Sequence, residues 1–312
     1  MTTTATVRGF ITDSTVSDGL RLADDLPERP PKPDEAVLDV RAYAVNYGET
    51  RLIEQRPNGF RPGQDVAGVI VTAAGDGSGP PVGTRVVARL DWEGWAERVP
   101  APTGRLAEIP EGVGFEQAAT LPVSGLTALR ALRVGGSVLG RQVLVTGATG
   151  GVGQFAVQLA AAAGATVTAQ VSGPERAAEA RELGAHRVVT RLDDDALGPF
   201  HLVLDAVGGN QLAHAVHRMA AGGKLALYGN VGGPAQLTLA DFYSQAWNAE
   251  LIGFISDTER DNFAEDLALL CGLIAEDRLR PRIGLRLDWT RTPEALRALT
   301  DRKVRGKAVL TR

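Results

Sequence analysis

Cysteine is nearly absent from this chain. Cys271 is the only one in 312 residues, which excludes an internal disulfide and any multi-cysteine metal site. Histidine is scarce too: His186, His201, His214 and His217 all lie in the second half. The first half therefore offers no imidazole as acid, base or metal ligand. Aromatic residues make up 5%. With Ala and Gly abundant, such a chain buries small side chains and sets helices close to a sheet. Lysine is also rare, with Lys32, Lys224, Lys303 and Lys307 among 33 basic residues. We read that bias as compositional, with no bearing on mechanism. No run of basic residues occurs and the formal net charge is -4. Nucleic acid and anionic membrane are therefore not expected as partners. No apolar stretch reaches the roughly 20 residues that a membrane span needs. The opening MTTTATVRGF lacks an apolar signal core, and the expected location is the cytoplasm.

Hydrophobic residues make up 44%, enough for the core of one large or two ordinary domains. The first third reads as short strands at 7–11, 36–45, 66–72 and 85–90. The segment 36–45 (AVLDVRAYAV) alternates apolar and polar, as a half-buried strand should. Pro27, Pro30, Pro31 and Pro33 enforce an extended loop. Many short strands with Gly/Pro turns predict a compact, barrel-like β domain. From Glu116 a helical period sets in and breaks at Pro122. Beyond it, strands at 142–146, 165–171, 201–206, 224–228 and 250–254 alternate with helices at 151–163 and 174–183. That alternation predicts parallel βαβ units. A helix Phe263–Ala275, a strand at 285–287, a helix from Pro293 and a strand Lys307–Thr311 close the chain. The acidic run 193–195 reads as a solvated loop, and Cys271 as a core residue.

The segment 143–153, VLVTGATGGVG, runs a buried strand into glycines and then into a helix. A tight turn there needs a residue without Cβ, and close approach of a diphosphate needs another. The helix N-terminus adds N–H donors and the positive end of its dipole. Gly147, Gly150 and Gly153 keep a G-x-x-G-x-x-G spacing, because Ala148 stands where the stricter fingerprint begins with glycine. Strand, turn, helix and second strand together predict a dinucleotide site built from Gly147, Thr149, Gly150, Gly151, Val152 and Gly153. The end of the second strand selects the dinucleotide. An NAD site usually places an acid there for the ribose 2′-hydroxyl. This chain reads AQVSGPER at 169–176. Ser172 can donate to a 2′-phosphate and Arg176 can pair with it as a charged fork, provided Glu175 points away. NADPH is thus the expected cofactor. The alternative is a serine that caps a helix beside a surface arginine.

NYGETR at 46–51, PGQDVAG at 62–68, GWAE at 94–97, AATLPVSGLTA at 118–128 and the glycine turn follow in this order. Together they resemble the medium-chain dehydrogenase/reductase superfamily, in its zinc-free quinone oxidoreductase branch, over nearly the whole chain. The resemblance implies an α/β architecture. A Rossmann domain with a doubly wound parallel sheet is inserted in a partly closed, GroES-like β-barrel catalytic domain. The implied division is 1–122 with 257–312 for the catalytic domain and 123–256 for the dinucleotide domain. Substrate and nicotinamide would meet in the cleft between them. Zinc-dependent members carry Cys, His and Cys at positions that here are Asn46, Gln64 and Val123. Valine cannot ligate a metal, and zinc prefers thiolate and imidazole.

Hydride addition to a conjugated carbonyl builds negative charge on its oxygen, which a donor must meet. By resemblance Asn46 and Tyr47 face the cleft. Asn46 is expected as polarising donor and Tyr47 as donor or proton source, unless its ring only walls the pocket. Gln64 joins them, in catalysis or in the hydrogen-bond network. Asp65 and Glu49 read as structural. Thr127 matches a position beside the nicotinamide ribose, and Asn230 one where the cofactor crosses the strand ends. Phe254 and Ile255 end the last Rossmann strand, where their backbone would touch the nicotinamide. Tyr228 and Trp247 read as packing residues. The implied function is zinc-independent, NADPH-dependent reduction of a quinone or α,β-unsaturated carbonyl. Two alternatives stand: an enoyl-thioester or alcohol-type reductase on the same scaffold, and a redox-silent binding or cyclase-type protein. The apolar stretch 250–255, ELIGFI, should edge the Rossmann sheet and join two subunits in a homodimer. Replacing Arg176 by Ala should weaken NADPH binding and leave NADH nearly unchanged. Equal affinities of the parent protein for both, measured by nicotinamide fluorescence, would refute the assignment.

Overall fold

The computed structural model describes residues 5–194, 196–243, 245–256 and 263–312. The chain divides into two units, Met1–Leu126 with Arg260–Arg312, and Thr127–Glu259.

The first unit is mostly β. It holds β1 (Thr6–Thr12), β2 (Leu20–Pro27), β3 (Glu35–Val45), β4 (Asp65–Thr72), β5 (Arg85–Arg89), β6 (Arg98–Pro102) and β7 (Leu106–Glu108). The first two form an antiparallel pair. Helix α1 (Tyr47–Gln55) follows β3, and α2 (Phe115–Ala119) follows β7. The helix expected over 116–132 with a break at Pro122 stops earlier, at Ala119, and Pro122 lies inside the turn that follows. It is a wide π turn, Leu121–Gly125, ahead of α3 (Leu126–Val134). Tyr43, Val66, Ile70, Val86, Trp95 and Leu310 build the core, and the Tyr43 and Trp95 rings stack at 6.0 Å.

The second unit alternates strand and helix. In order it holds β8 (Gln142–Val145), α4 (Gly153–Ala162), β9 (Thr166–Gln170), α5 (Ala177–Glu182), β10 (Arg187–Val189), β11 (Phe200–Asp205), α6 (Gly209–His217), β12 (Met219–Leu227), α7 (Leu239–Tyr243) and β13 (Glu250–Gly253). The sheet order is β10-β9-β8-β11-β12-β13, all parallel. Counted within the unit this is 3-2-1-4-5-6, the Rossmann arrangement. The central strands β8, β9 and β11 are buried on both faces, which explains their near-continuous apolar runs.

The chain then returns to the first unit with α8 (Phe263–Ala275), β14 (Ile283–Asp288), α9 (Thr292–Thr300) and β15 (Lys307–Thr311). Strand β15 inserts between β14 and β3 in the sheet β14-β15-β3-β4-β5-β7, with β6 also paired to β3. Ala308 pairs with Val45, and Ala44 with Asp65. That register sets Lys307, Asn46 and Asp65 side by side at one end of the sheet.

Several elements differ from the sequence reading. Strand β9 ends at Gln170 and β13 at Gly253, and β12 starts early, at Met219. The helix read at 174–183 begins as a 3-10 turn, Pro174–Arg176. Strands β2, β6, β7 and β10 and helices α1, α6 and α7 had no reading. Trp247 is not a packing residue: it is 51% exposed, against the Tyr243 ring at 5.1 Å. Cys271 is buried, which pushes its thiol up to about 12. Asp193 and Asp194 pair with Arg191 and Arg187, while Asp195 lies outside the described residues. Strand β13 is the sheet edge, and beyond it Ile255 is 74% exposed. Among the described residues no helix is long and apolar enough to cross a membrane.

Candidate active site

The glycine turn connects β8 to α4. The backbone N–H of Gly147 donates to Gln170 Oε1 (3.2 Å), and that of Ala148 to the Gln170 carbonyl (3.0 Å). These bonds from β9 fold the chain back over the end of β8. Gly147 takes φ +58°, a conformation that suits glycine. Gly153 is required for another reason: a Cβ there would sit 2.2 Å from the Gly147 carbonyl oxygen. Helix α4 therefore starts hard against the turn. Gly150 closes it, N–H to the Gly147 carbonyl at 2.9 Å. Among the described residues, the N–H groups of Gly151, Val152 and Gly153 donate to nothing. They are the orphan donors of a helix N-terminus, and they can cradle the oxygens of a diphosphate.

The strand order reverses between β8 and β11, and open α/β sheets bind ligands at that crevice. Buried Asp205 ends β11. Its carboxylate accepts from Thr146 Oγ1, Val207 N (3.2 Å) and Gly208 N (3.0 Å). Burial raises its carboxyl, against these bonds. Thr146 Oγ1 in turn accepts from Ala206 N at 3.0 Å. Asp205 thereby locks both crevice loops. The sequence reading missed it; its signal was an acid closing the apolar strand FHLVLD just before Gly208 and Gly209.

Ser172 lies exposed just after β9. Half-buried Arg176 donates Nη1 to Thr149 Oγ1 at 3.2 Å, which joins the second-strand loop to the glycine turn. Glu175 does not point away. It curls back, so that a Cβ on Gly173 would meet Glu175 Oε2 at 2.2 Å. Its Oε1 lies 3.9 Å from Arg176 Nε, drawn by the guanidinium. Thr127 Oγ1 donates to Ser256 Oγ at 3.1 Å, and Arg130 to the Ser256 carbonyl at 2.7 Å. These bonds tie the start of α3 to the segment carrying Phe254 and Ile255. The Phe254 N–H is spent on the Leu227 carbonyl at 2.8 Å. Asn230 is exposed beyond β12, with its Oδ1 over Gly208. The Tyr228 hydroxyl is buried with no partner among the described residues, and burial raises its pKa.

The first unit holds a polar cluster that the sequence reading only partly anticipated. Asn46 Nδ2 donates to Asp65 Oδ2 (3.0 Å) and Glu49 Oε2 (3.2 Å), and Asn46 Oδ1 accepts from Lys307 Nζ (2.6 Å). The reverse amide orientation would set its oxygen against two carboxyls and its NH2 against an ammonium, so the orientation is determined. Both amide hydrogens are spent. Asn46 therefore does not supply the polarising donor expected of it. Lys307 Nζ also donates to Asp65 Oδ2 (3.2 Å) and Ser124 Oγ (3.2 Å), and Val123 N donates to Asp65 Oδ1 (2.9 Å). Lys307 and Asp65 are 2% and 0% exposed. Position 46 thus contacts a buried ammonium, while position 64 adjoins in sequence, and position 123 bonds through its backbone, the Asp65 carboxylate paired with it. Two amides, a valine and a neighbouring like charge do not fit zinc.

Tyr47 and Gln64 flank this cluster and keep donors. The Tyr47 hydroxyl makes no hydrogen bond among the described residues, and the Arg51 guanidinium lies 5.9 Å from its ring centroid. Gln64 gives one amide hydrogen to the Asp91 carbonyl (3.2 Å) and retains the other. Lys307 and Ser124 had no place in the sequence reading. A groove of about 610 Å³, lined by Val7, Glu28, Arg29, Arg61, Val71 and Arg98 among others, includes none of these residues. Its charges are largely matched within it and at its rim: Glu28 pairs with Arg98, and Arg29 with Glu35 and Glu93.

The zinc-binding dehydrogenase family model matches residues 151–271. The quinone oxidoreductase of Pseudomonas aeruginosa is 29% identical over 305 residues, 90% of this chain and 92% of that protein. The acryloyl-coenzyme A reductase of Sulfurisphaera tokodaii is 26% identical over 327 residues, 92% of this chain and 95% of that protein. Among solved structures, a mycobacterial protein complexed with NADPH is 27% identical at a TM-score of 0.86, covering 98% of this chain and 100% of that one. Over most of its length the chain is thus similar to oxidoreductases of the medium-chain dehydrogenase/reductase superfamily, several of them quinone oxidoreductases.

Glu49 completes the cluster. Its Oε2 accepts from Asn46 N at 2.8 Å, closing the start of α1, and its Oε1 is buried without a partner among the described residues. Burial, then the nearby Asp65 charge, push its carboxyl up to about 8, against the Asn46 bonds and Lys307. Its ordinary value is 4.5, so between 4.5 and about 8 the native chain keeps a proton that the unfolded chain has lost. Stability from this group is full below the lower value and declines as pH rises to the upper one. The slope is at most about 1.4 kcal/mol per pH unit. Glu49→Gln keeps an acceptor and removes the titration. In urea unfolding it should lose this decline and exceed the parent's stability near pH 8. Superimposable pH profiles for the two proteins would contradict a neutral Glu49.

Proposed function

We propose that this protein is a zinc-independent reductase that uses NADPH to reduce quinones or α,β-unsaturated carbonyl compounds. The observation that carries the reading is the glycine turn with its three unspent N–H groups and Arg176 bonded across it to Thr149. Gly151, Val152 and Gly153 would hold the diphosphate, and Ser172 with Arg176 the 2′-phosphate once Glu175, which here curls back over Gly173 toward Arg176, swings aside. Thr127, Phe254, Ile255 and Asn230 would border the nicotinamide half. When bound, the reduced nicotinamide supplies a hydride. The other requirement is a donor for the carbonyl oxygen as its charge grows. Tyr47 suits that role because its hydroxyl is uncommitted among the described residues, and Gln64 can add its second amide hydrogen. The buried Lys307 ammonium, where zinc ligands would otherwise converge, supports chemistry without a metal. A second reading, reduction of an enoyl thioester, draws on the similarity to acryloyl-coenzyme A reductase. It uses the same hydride and the same donors.

Loss of NADPH absorbance with a panel of quinones, enones and enoyl thioesters tests the reaction class. Absence of turnover with all three would end both readings. Tyr47→Phe should lower turnover about 10²–10³-fold with NADPH affinity unchanged. Near-parental turnover would reduce Tyr47 to a wall of the pocket.

The exposed edge of β13, with Leu251 and Ile255, also supports a homodimer in which two sheets join. Light scattering should give twice the chain mass at micromolar concentration, and a monomer there would count against it.

A further inference from the structure

We propose that Lys307 is a positioning residue for this reaction: its buried ammonium holds the two short segments that present Tyr47 and Gln64. The inference rests on the roles given to those two side chains above. An ammonium has three hydrogens, and here each finds an acceptor: Asn46 Oδ1, Asp65 Oδ2 and Ser124 Oγ. The acceptors come from the end of β3, the start of β4 and the Leu121–Gly125 turn. Tyr47 follows Asn46 directly, and Gln64 directly precedes Asp65. One cation therefore sets the chain direction on both sides of the proposed donors.

A stability role alone does not account for this arrangement. Burying an ion pair costs desolvation that its attraction scarcely repays, and apolar residues of equal volume often serve a fold as well or better. What the ionic cluster adds is direction. Asn46 is held in one orientation, Asp65 receives the Val123 N–H, and three segments distant in sequence share one point. Lysine suits the geometry better than arginine. Its donors spread around a single atom, whereas a guanidinium presents a planar fork.

The test uses the full chain with two variants, Lys307→Met and the charge-neutral pair Asp65→Asn with Lys307→Met. The pair avoids a buried, unmatched carboxylate and serves if the single variant does not fold. The first readout is amide hydrogen exchange without cofactor. Exchange at Val123 should quicken by about tenfold or more while the amides of β8 keep their parental protection. The second is turnover, which should fall about 10²-fold with NADPH affinity unchanged. In a Tyr47→Phe background the same substitution should cost much less, because it acts through Tyr47. Unchanged protection at Val123 overturns the proposal. So does an equal loss at β8, which marks general destabilisation, or parental turnover in the folded double variant. If the parent reduces no conjugated carbonyl, the proposed function fails and the positioning role with it. The exchange result then still tells whether the ammonium holds these segments.

Discussion

A buried ammonium must have its hydrogens met, and this requirement shapes the barrel unit. Leaving a charge unpaired away from water costs far more than most single contacts return. Lys307 can be buried only because β15 enters the sheet beside β3, with β4 on the other side. Had β15 paired one residue out of register, its side chains would have changed faces. Ala308 and Leu310 pack in the core that Tyr43 and Val66 share, while Val309 lies outside it, and the slip would take both residues out of that core. Apolar burial sets the register, and the register delivers the cation to its acceptors.

The dinucleotide unit solves a different problem by different means. Its central strands β8 and β11 are mostly apolar, and the polar groups that bond the crevice loops collect where strands end. Gln170, Thr146 and Asp205 all lie at such ends, and each bonds to backbone N–H or C=O groups of the loops there. Glycine then removes what side chains would obstruct, and Gly153 brings the helix against the turn. The barrel unit holds its polar residues in place with a charge; the Rossmann unit keeps its N–H groups available by omitting side chains.

How much was legible in the sequence follows from these causes. Alternating or fully apolar stretches such as β3, β8 and β15 declared themselves, because burial there repeats along the strand. Helix α1 did not, since YGETRLIEQ buries only Glu49 and Ile53 and so carries no apolar stripe. Strand β10 has only three residues, none fully buried. The polar cluster was less visible still. Its members stand at 46, 49, 65, 124 and 307, and no local pattern links them. One clue was present: a lysine opening the strand KAVLT in a chain that otherwise prefers arginine. Asn46 shows the limit of residue type as a guide. An amide suggests a donor, but its partners decide whether any hydrogen remains to give.

The cluster's charge balance bears on the proposed chemistry. It contains two carboxyls and one ammonium. With Glu49 neutral, Asp65 and Lys307 cancel, and the cluster itself carries no net charge, while the Arg51 guanidinium stands beside the Tyr47 ring. An ionised Glu49 would add a second negative charge beside Asp65, in the cluster that adjoins the proposed donor. In a water-poor setting that repulsion is weakly screened. Burial of Glu49 thus serves the proposed donor in two ways. It closes the start of the helix through the Asn46 N–H, and it keeps a second negative charge out of the cluster that adjoins Tyr47. The unpartnered Oε1 is tolerable on the same ground, because a neutral acid loses less than a carboxylate when one oxygen goes without a bond.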